Sequence, residues 1–211
     1  MDLYFAPLAC SLATRIALYE IDRPANFICV DRLAGKLEDG SDYHQLNAMG
    51  QVPMLRTDTG ERLTETAAIL QYVADLDEEG RLAPKSGLER YRLQQWLNFI
   101  ASELHKALFY PQFSPDSNDG AKSFSRKLLD KRFDYLDRHL TGRDFLLDHF
   151  TVADAYLATV LGWTRPVGID LGQWPAIKDY FTRMRARPAV ARAVAEEYAL
   201  YEAQEERRGA A

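Results

Sequence analysis

Between residues 3 and 76 the apolar positions alternate between short unbroken runs and helical spacing. Leu3-Tyr4-Phe5-Ala6 is a compact apolar run stopped by Pro7, which predicts a strand. From Ser11 to Glu20 the apolar residues Leu12, Ile16, Leu18 and Tyr19 recur at helical intervals, and Asp22-Arg23-Pro24 closes the segment. Phe27-Ile28-Cys29-Val30 predicts a second strand, 42–46 a helical turn, and Val52-Pro53-Met54-Leu55 a third strand. The turn signal Asp58-Thr59-Gly60 then leads into a short fourth strand at Arg62-Leu63-Thr64, and 65–76 reads as a helix.

The resulting order is βαβαββα. A crossover helix makes strands 1 and 2 parallel, and the glycine turn makes strands 3 and 4 an antiparallel hairpin, so the expected arrangement is thioredoxin-like. The polar, Gly- and Pro-bearing stretch after it sets expected boundaries of 1–80 for this α/β domain, 81–86 for a linker and 87–211 for a second domain. Beyond residue 80 no run predicts a strand. Leu93, Trp96, Leu97, Ile100, Leu104 and Leu108 fall at spacings of three and four, as do Phe124, Leu128, Phe133, Leu136 and Leu140. From Val152 to Trp163 the sole charge is Asp154, which predicts a helix buried on nearly every side and an all-helical domain built around it. Further helices are expected near 176–185 and 189–198, with 202–211 as a polar, solvated tail.

Composition narrows the class of partner. Of 211 residues, 47% are hydrophobic and 27% charged, the make-up of a globular chain. Lys plus Arg number 26 against 31 Asp plus Glu, for a net charge of -5, so no overall positive field would draw the chain onto nucleic acid. The start Met1-Asp2-Leu3-Tyr4-Phe5 has no basic leader pattern, and no apolar run approaches membrane-spanning length. A cytoplasmic address and no membrane partner are expected. Cys10 and Cys29 are the two cysteines, too few for a disulfide framework, and no companion ligands at metal spacing predict a metal site.

Cys10 follows the strand-ending Pro7-Leu8-Ala9 and opens the first helix, where backbone N–H groups and the helix dipole favour a thiolate. The alternative, a small buried hydrophobe, is the usual fate of an unpaired cysteine. The position after the first strand of a thioredoxin-like unit favours chemistry. Cys10-Ser11-Leu12-Ala13 lacks a second, resolving cysteine, so an external thiol such as glutathione is needed to complete an exchange. Ser11 is either a second donor to a bound thiolate or a capping hydroxyl. Val52-Pro53 opens the third strand where a cis-proline would turn the backbone of Val52 toward an extended ligand. Glu65 and Thr66 combine a carboxylate, a hydroxyl and the amides of a helix start, the set of groups that a γ-glutamyl end requires. His105 shares a helix face with Asn98 and Ser102, while Lys106 stands either toward a ligand or in a surface pair with Glu103. Thr151-Val152-Ala153-Asp154 has the pattern of a capping box, which gives Asp154 a structural role.

Taken together, the segments 3–12, 47–53, 63–69, 96–106 and 150–156 resemble the cytosolic glutathione S-transferases, and Cys10-Ser11 with Ala101-Ser102-Glu103-Leu104-His105-Lys106 is most similar to the bacterial beta class. The resemblance implies an enzyme that uses glutathione as co-substrate, in a homodimer whose helical domain supplies most of an apolar second-substrate pocket. It places Cys10 at the glutathione sulfur, Val52 on the cysteinyl backbone, and Glu65 and Thr66 at the γ-glutamyl end. It also brings His105 and Lys106 to the tripeptide and makes Lys36 a contact for the glycyl carboxylate. Three positions depart from the family: Phe5 stands where a tyrosine is usual, Leu8 where glycine is usual and Thr66 where serine is usual. Phe5 excludes activation of the thiol by a tyrosine at that place, and Leu8 adds bulk beside the thiol.

Two modes of chemistry follow: attack of the glutathione thiolate on small electrophilic apolar substrates, as in detoxification, or glutathione-dependent thiol–disulfide exchange through Cys10. The rival readings are a noncatalytic carrier or interaction protein on the same fold, and a glutathione-dependent isomerase or dehalogenase that differs in its pocket alone.

Overall fold

The computed structural model describes residues 1–209; Ala210 and Ala211, the last two of the expected polar tail, lie outside the described residues. The chain divides into two compact units, one made of 1–79 together with 187–209, the other of 80–186.

The first unit is built on a five-stranded sheet in the order β3-β2-β1-β4-β5. Its strands are β1 (Asp2–Phe5), β2 (Asn26–Asp31), β3 (Lys36–Leu37), β4 (Met54–Arg56) and β5 (Arg62–Leu63). β1 runs parallel to β2 and antiparallel to β4, and β4 pairs antiparallel with β5, which is the expected thioredoxin-like topology. The two-residue β3, an edge strand against β2, is the addition; two residues are too short for any periodicity to announce them. α1 (Leu12–Glu20) and α2 (Thr66–Asp75) follow β1 and β5. Side chains alternate across the sheet as the pleat requires. Tyr4, Ile28 and Val30 face a cluster completed by Tyr43, Val52 and Met54, while Phe5 and Phe27 meet edge to face under the guanidinium of Arg15.

The helix α9 (Pro188–Gly209) belongs to this first unit, which corrects the expected second domain of 87–211. Besides the buried Val190 and Ala193, ion pairs at the helix and at the residue just before it attach it. Arg15 of α1 meets Glu196 and Glu197, Arg187 forks onto Glu20, and Arg208 reaches Asp31. The segment expected to trail off as a polar tail is therefore helical through Gly209, and its Gln204 donates to the sulfur of Cys29 at 3.2 Å.

Among its described residues the second unit contains helices and no strand. α3 (Gly87–Asn98) continues without interruption into a π-helical segment, Phe99–Phe109, and then α4 (Tyr110–Phe113). Spacings of three and four place one apolar stripe along the whole rod, but they do not separate an α-helix from its wider π form. α5 (Asp119–Arg126) and α6 (Leu129–Leu140) are two helices where the apolar spacing predicted one. α7 (Val152–Leu161) is buried at all ten positions, as its near-absence of charge requires, and α8 (Pro175–Ala186) packs on it. Within the expected linker, Leu82 and Ala83 are buried and the Leu82 carbonyl accepts from the Val152 amide at 2.9 Å, so that stretch is part of the helical unit.

Candidate functional site

The thiol is delivered by the turn between β1 and α1. Ala9 N–H bonds back to the Ala6 carbonyl at 3.1 Å, and Leu8 takes a positive φ of 59°, a backbone region that side chains with a Cβ avoid. The unusual residue at position 8 thus occupies a conformation that suits glycine. Ser11 closes the turn. Its Oγ accepts from the Ala6 amide at 3.3 Å and donates to the Ala6 carbonyl at 3.2 Å, and the residue is fully buried. Ser11 is the N-cap residue of α1, but its hydroxyl makes no cap bond and ties the turn instead.

Cys10 is buried, and its Sγ donates to the carbonyl oxygen of Val52 at 3.2 Å. The Val52–Pro53 peptide bond is cis, as the strand position predicted. A small polar scaffold fixes the approach to it. The Gln51 carbonyl accepts from the Tyr43 hydroxyl at 2.9 Å and from Asn47 Nδ2 at 2.7 Å, while Asn47 Oδ1 accepts from the Met49 amide at 3.2 Å. These bonds give the 47–53 segment its physical reason: Asn47 from within it and Tyr43 from outside it hold the backbone that precedes Val52. Gly50 completes the arrangement, because a Cβ there would come within 2.5 Å of His44 Nε2 and its φ is 62°.

Glu65 and Thr66 stand where β5 gives way to α2. Glu65 has φ 66° and ψ 116°, a sparsely populated backbone state of the kind found at ligand-binding positions. Its carbonyl accepts the Ala68 and Ile69 amides at 3.0 Å each, its side chain is exposed, and Thr66 is buried as the first residue of the helix. Lys36 is exposed on the edge strand β3.

In the helical unit His105 and Lys106 lie on the π-helical segment. His105 Nδ1 lies 2.7 Å from the Tyr156 hydroxyl, and its ring packs edge to face against Trp163, which also meets Phe109 and Phe113. Lys106 does not meet Glu103: that carboxylate is held by Arg132, and the Lys106 ammonium lies 4.8 Å over the Tyr110 ring. Asp154 is the capping residue that the spacing predicted. Its Oδ2 accepts from the Thr151 amide and hydroxyl at 2.8 and 3.0 Å, and its Oδ1 accepts from the Leu146 amide and the Tyr180 hydroxyl at 2.9 Å each. Burial pushes its carboxyl pKa up against the pull of those four donors.

One constellation escapes sequence reasoning. Glu197 is fully buried; its Oε2 accepts from the Leu8 amide at 2.7 Å and its Oε1 lies 3.0 Å from Arg15 Nε. Burial raises its pKa from 4.5 to about 7, with the Arg15 charge and the Leu8 amide acting in the opposite direction. Its signal was present in the chain: Val190, Ala193 and Glu197 are the buried positions of α9, so a carboxylate occupies the apolar stripe.

A cysteine at the first βα turn of a thioredoxin-like unit, beside the backbone of a cis X-Pro strand and joined in sequence to an all-helical unit, defines the class of two-part thiol transferases. Comparison with known proteins agrees. The glutathione S-transferase N-terminal domain family matches residues 1–75 and the glutathione S-transferase C-terminal domain family residues 100–188. Glutathione S-transferase GstA of Escherichia coli O157:H7 is 41% identical over 199 residues, spanning 93% of this chain and 98% of that one. The solved structure of a sphingomonad glutathione S-transferase complexed with glutathione superposes with a TM-score of 0.89 at 43% identity, over 93% of this chain and 98% of that one. The bacterial beta class enzyme of Sphingomonas chungbukensis gives a TM-score of 0.89 at 42% identity, with the same coverage. The chain belongs to the glutathione S-transferase family. It is an enzyme of that family most similar to the beta class, as the five sequence segments implied.

Proposed function

We propose that this enzyme binds glutathione along the edge of its first unit, with the cysteinyl backbone on Val52 and Pro53, the γ-glutamyl end on Glu65 and Thr66, and the sulfur facing Cys10. The observation that carries the reading is the 3.2 Å approach of Cys10 Sγ to the Val52 carbonyl, which puts a protein thiol beside the backbone that the cysteinyl unit would engage. Glutathione-bound structure in a relative 43% identical supports the same ligand. Lys36 is assigned to the glycyl carboxylate, and His105 and Lys106 to the tripeptide, as the family resemblance implies.

Two reactions are open to such a site. In conjugation the glutathione thiolate attacks an electrophilic carbon, a C–S bond forms, and either a leaving group departs with the electron pair or an activated double bond takes up a proton. In exchange the Cys10 thiolate attacks the glutathione sulfur of a glutathionylated disulfide, forms a mixed disulfide and releases the other thiol; a second glutathione then attacks the mixed disulfide, restores the Cys10 thiol and leaves as oxidised glutathione. The aromatic cluster of Trp163, Phe109 and Phe113 around His105 supports an apolar second substrate. Exposed Leu88 and Tyr91 on α3 and exposed Met49 supply apolar surface of the kind a homodimer buries. No helix among the described residues is long and apolar enough to cross a membrane, which is compatible with the proposed cytoplasmic, detoxifying role.

The test is turnover by the purified protein with glutathione against a panel of aromatic and alkyl electrophiles and against glutathionylated disulfides. Conjugation or exchange that saturates in glutathione and weakens about tenfold in KM when Lys106 is replaced by Ala supports the reading, since one charge-assisted contact contributes roughly 1.5 to 3 kcal/mol. Binding of apolar ligands without turnover of any of these substrates would favour the noncatalytic carrier.

A further inference from the structure

The catalytic turn is held from a distance of 189 residues in sequence. Leu8 N–H donates to Glu197 Oε2 at 2.7 Å, and Glu197 comes from the last helix of the chain. The bond falls on the residue whose backbone carries the positive φ, and that residue is two before Cys10. Within the turn, the Ala6 amide and carbonyl go to Ser11 Oγ and the Ala9 amide to the Ala6 carbonyl, while the Leu8 amide reaches an element outside the turn.

The grip is itself anchored. Glu197 is fully buried, and Arg15 Nε stands 3.0 Å from its other oxygen, at an angle that makes the contact an ion pair and not a hydrogen bond. Arg15 is buried too. It stacks 3.9 Å from the centre of the Phe27 ring and 4.4 Å from that of Phe5, and its Nη1 meets Glu196 at 3.0 Å, while Glu196 also accepts from the Tyr19 hydroxyl. A charge set in this way between a sheet face, α1 and α9 has little freedom to move. It transmits the position of α9 to one amide of the catalytic turn.

We propose that Glu197 is a positioning residue for the Cys10 thiol: acting through the Leu8 amide, it locks the left-handed turn that sets where Cys10 Sγ lies against Val52. A carboxylate in the apolar stripe of a helix is an expensive choice for packing alone, because an apolar residue of similar volume fills such a place without desolvating a charge. What the carboxylate supplies and an apolar residue cannot is an acceptor for an amide that the turn's own conformation leaves pointing at α9.

The inference rests on Cys10 as the reactive thiol of the proposed function, and it is tested by a reading that needs no glutathione. Cys10 in the full-length protein is alkylated with iodoacetamide and the modified site is read by peptide mass. With the lock intact, Cys10 is buried on Val52 and reacts slowly. Replacing Glu197 with Leu, which keeps volume and removes the acceptor, should speed Cys10 alkylation tenfold or more and raise the glutathione KM more than it lowers kcat. Glu197→Gln, which retains an amide oxygen for Leu8, should stay within threefold of the wild type. Alkylation of the Leu variant within twofold of wild type, or a Gln variant as fast as the Leu variant, would overturn the proposal. Hydrogen exchange at the Leu8 amide of the wild-type protein provides a reading should the Leu variant not fold: protection of a hundredfold or more is expected, and exchange at the rate of an open loop would overturn the lock. Failure of glutathione to support turnover in the wild type would count against the function and leave the alkylation result standing.

Discussion

The sulfur of Cys10 lies 3.2 Å from the carbonyl oxygen of Val52, with the thiol as donor, although 42 residues separate the two in sequence. The sheet order explains the meeting. β1, which ends at Phe5, is flanked by β2 on one side and β4 on the other, so the turn after β1 and the residues before β4 emerge at neighbouring points of the sheet. That meeting is what the proposed binding of a ligand with a sulfur and an extended backbone requires.

The second cysteine provides the control for that chemistry. Cys29 lies on β2 under Gln204, and burial together with the Glu38 charge pushes its pKa up, which disfavours the thiolate. Treatment with oxidised glutathione should therefore add one glutathione to the protein, at Cys10, and release one reduced glutathione. Intact mass of the wild type, Cys10→Ala and Cys29→Ala reads the outcome: the adduct should vanish in the first variant and persist in the second.

Leu8 carries φ 59°, and this reverses the usual order of small residues at that position. Glycine ordinarily lowers stability relative to alanine because it gains more freedom on unfolding, but a left-handed backbone costs alanine about 1 kcal/mol or more. Leu8→Gly should therefore be more stable than Leu8→Ala by about 1 kcal/mol, the opposite of the order expected in a helix. Urea unfolding of the two variants measures it, and a more stable alanine variant would refute the strain.

The same residue shows how far the chain could be read in advance. Element order, the parallel and antiparallel pairings, the buried α7 and the capping box at 151–154 were legible because each rests on local periodicity or on a short fixed spacing. The meeting of Cys10 with Val52 and Pro53 was legible because the order of elements brings the ends of particular strands together. That Leu8 needs a left-handed backbone was not, since the conformation is imposed by a turn tied at Ser11 and at Glu197. Nor was the place of α9. Its stripe of Val190, Ala193 and Glu197 contains a carboxylate, and that choice makes sense once the buried Arg15 of α1 and the Leu8 amide are seen to meet it. Ser11 shows the limit of short spacing: a hydroxyl at a helix start suggests a cap, yet it bonds the Ala6 amide and carbonyl within the turn.

Asp154 is fully buried and accepts four hydrogen bonds, two from Thr151 and one each from Leu146 and Tyr180. Asp154→Ala strands buried donors on three residues at once, so it should destabilise the helical unit by roughly 3 kcal/mol. Asp154 is not among the residues proposed to touch glutathione, so glutathione affinity should change little while the protein remains folded. Thermal unfolding beside calorimetric titration with glutathione checks both halves; wild-type stability with lost binding would show Asp154 to be a ligand contact.

Glu197 should make stability depend on pH in a direction opposite to that of an ordinary paired carboxylate. Burial raises its pKa from 4.5 to about 7, so between these values the folded protein holds a proton that the unfolded chain has released. The contribution of this group to folding is then fully present below pH 4.5 and is lost as the pH rises through 7. The groups that face it are Arg15 on α1, Glu196 on its own helix with Tyr19 behind it, and Cys29 on β2, whose pKa its charge helps to raise. Glu197→Gln has no proton to lose. Comparing urea unfolding of the variant with that of wild type at pH 5 and pH 8 removes the titration of all other groups that the two proteins share. The difference should move in favour of the variant as the pH rises, by up to about 3 kcal/mol, since each unit of pKa shift corresponds to about 1.36 kcal/mol. A constant difference across that range would mean that Glu197 is ionised throughout, with Arg15 outweighing the cost of its burial.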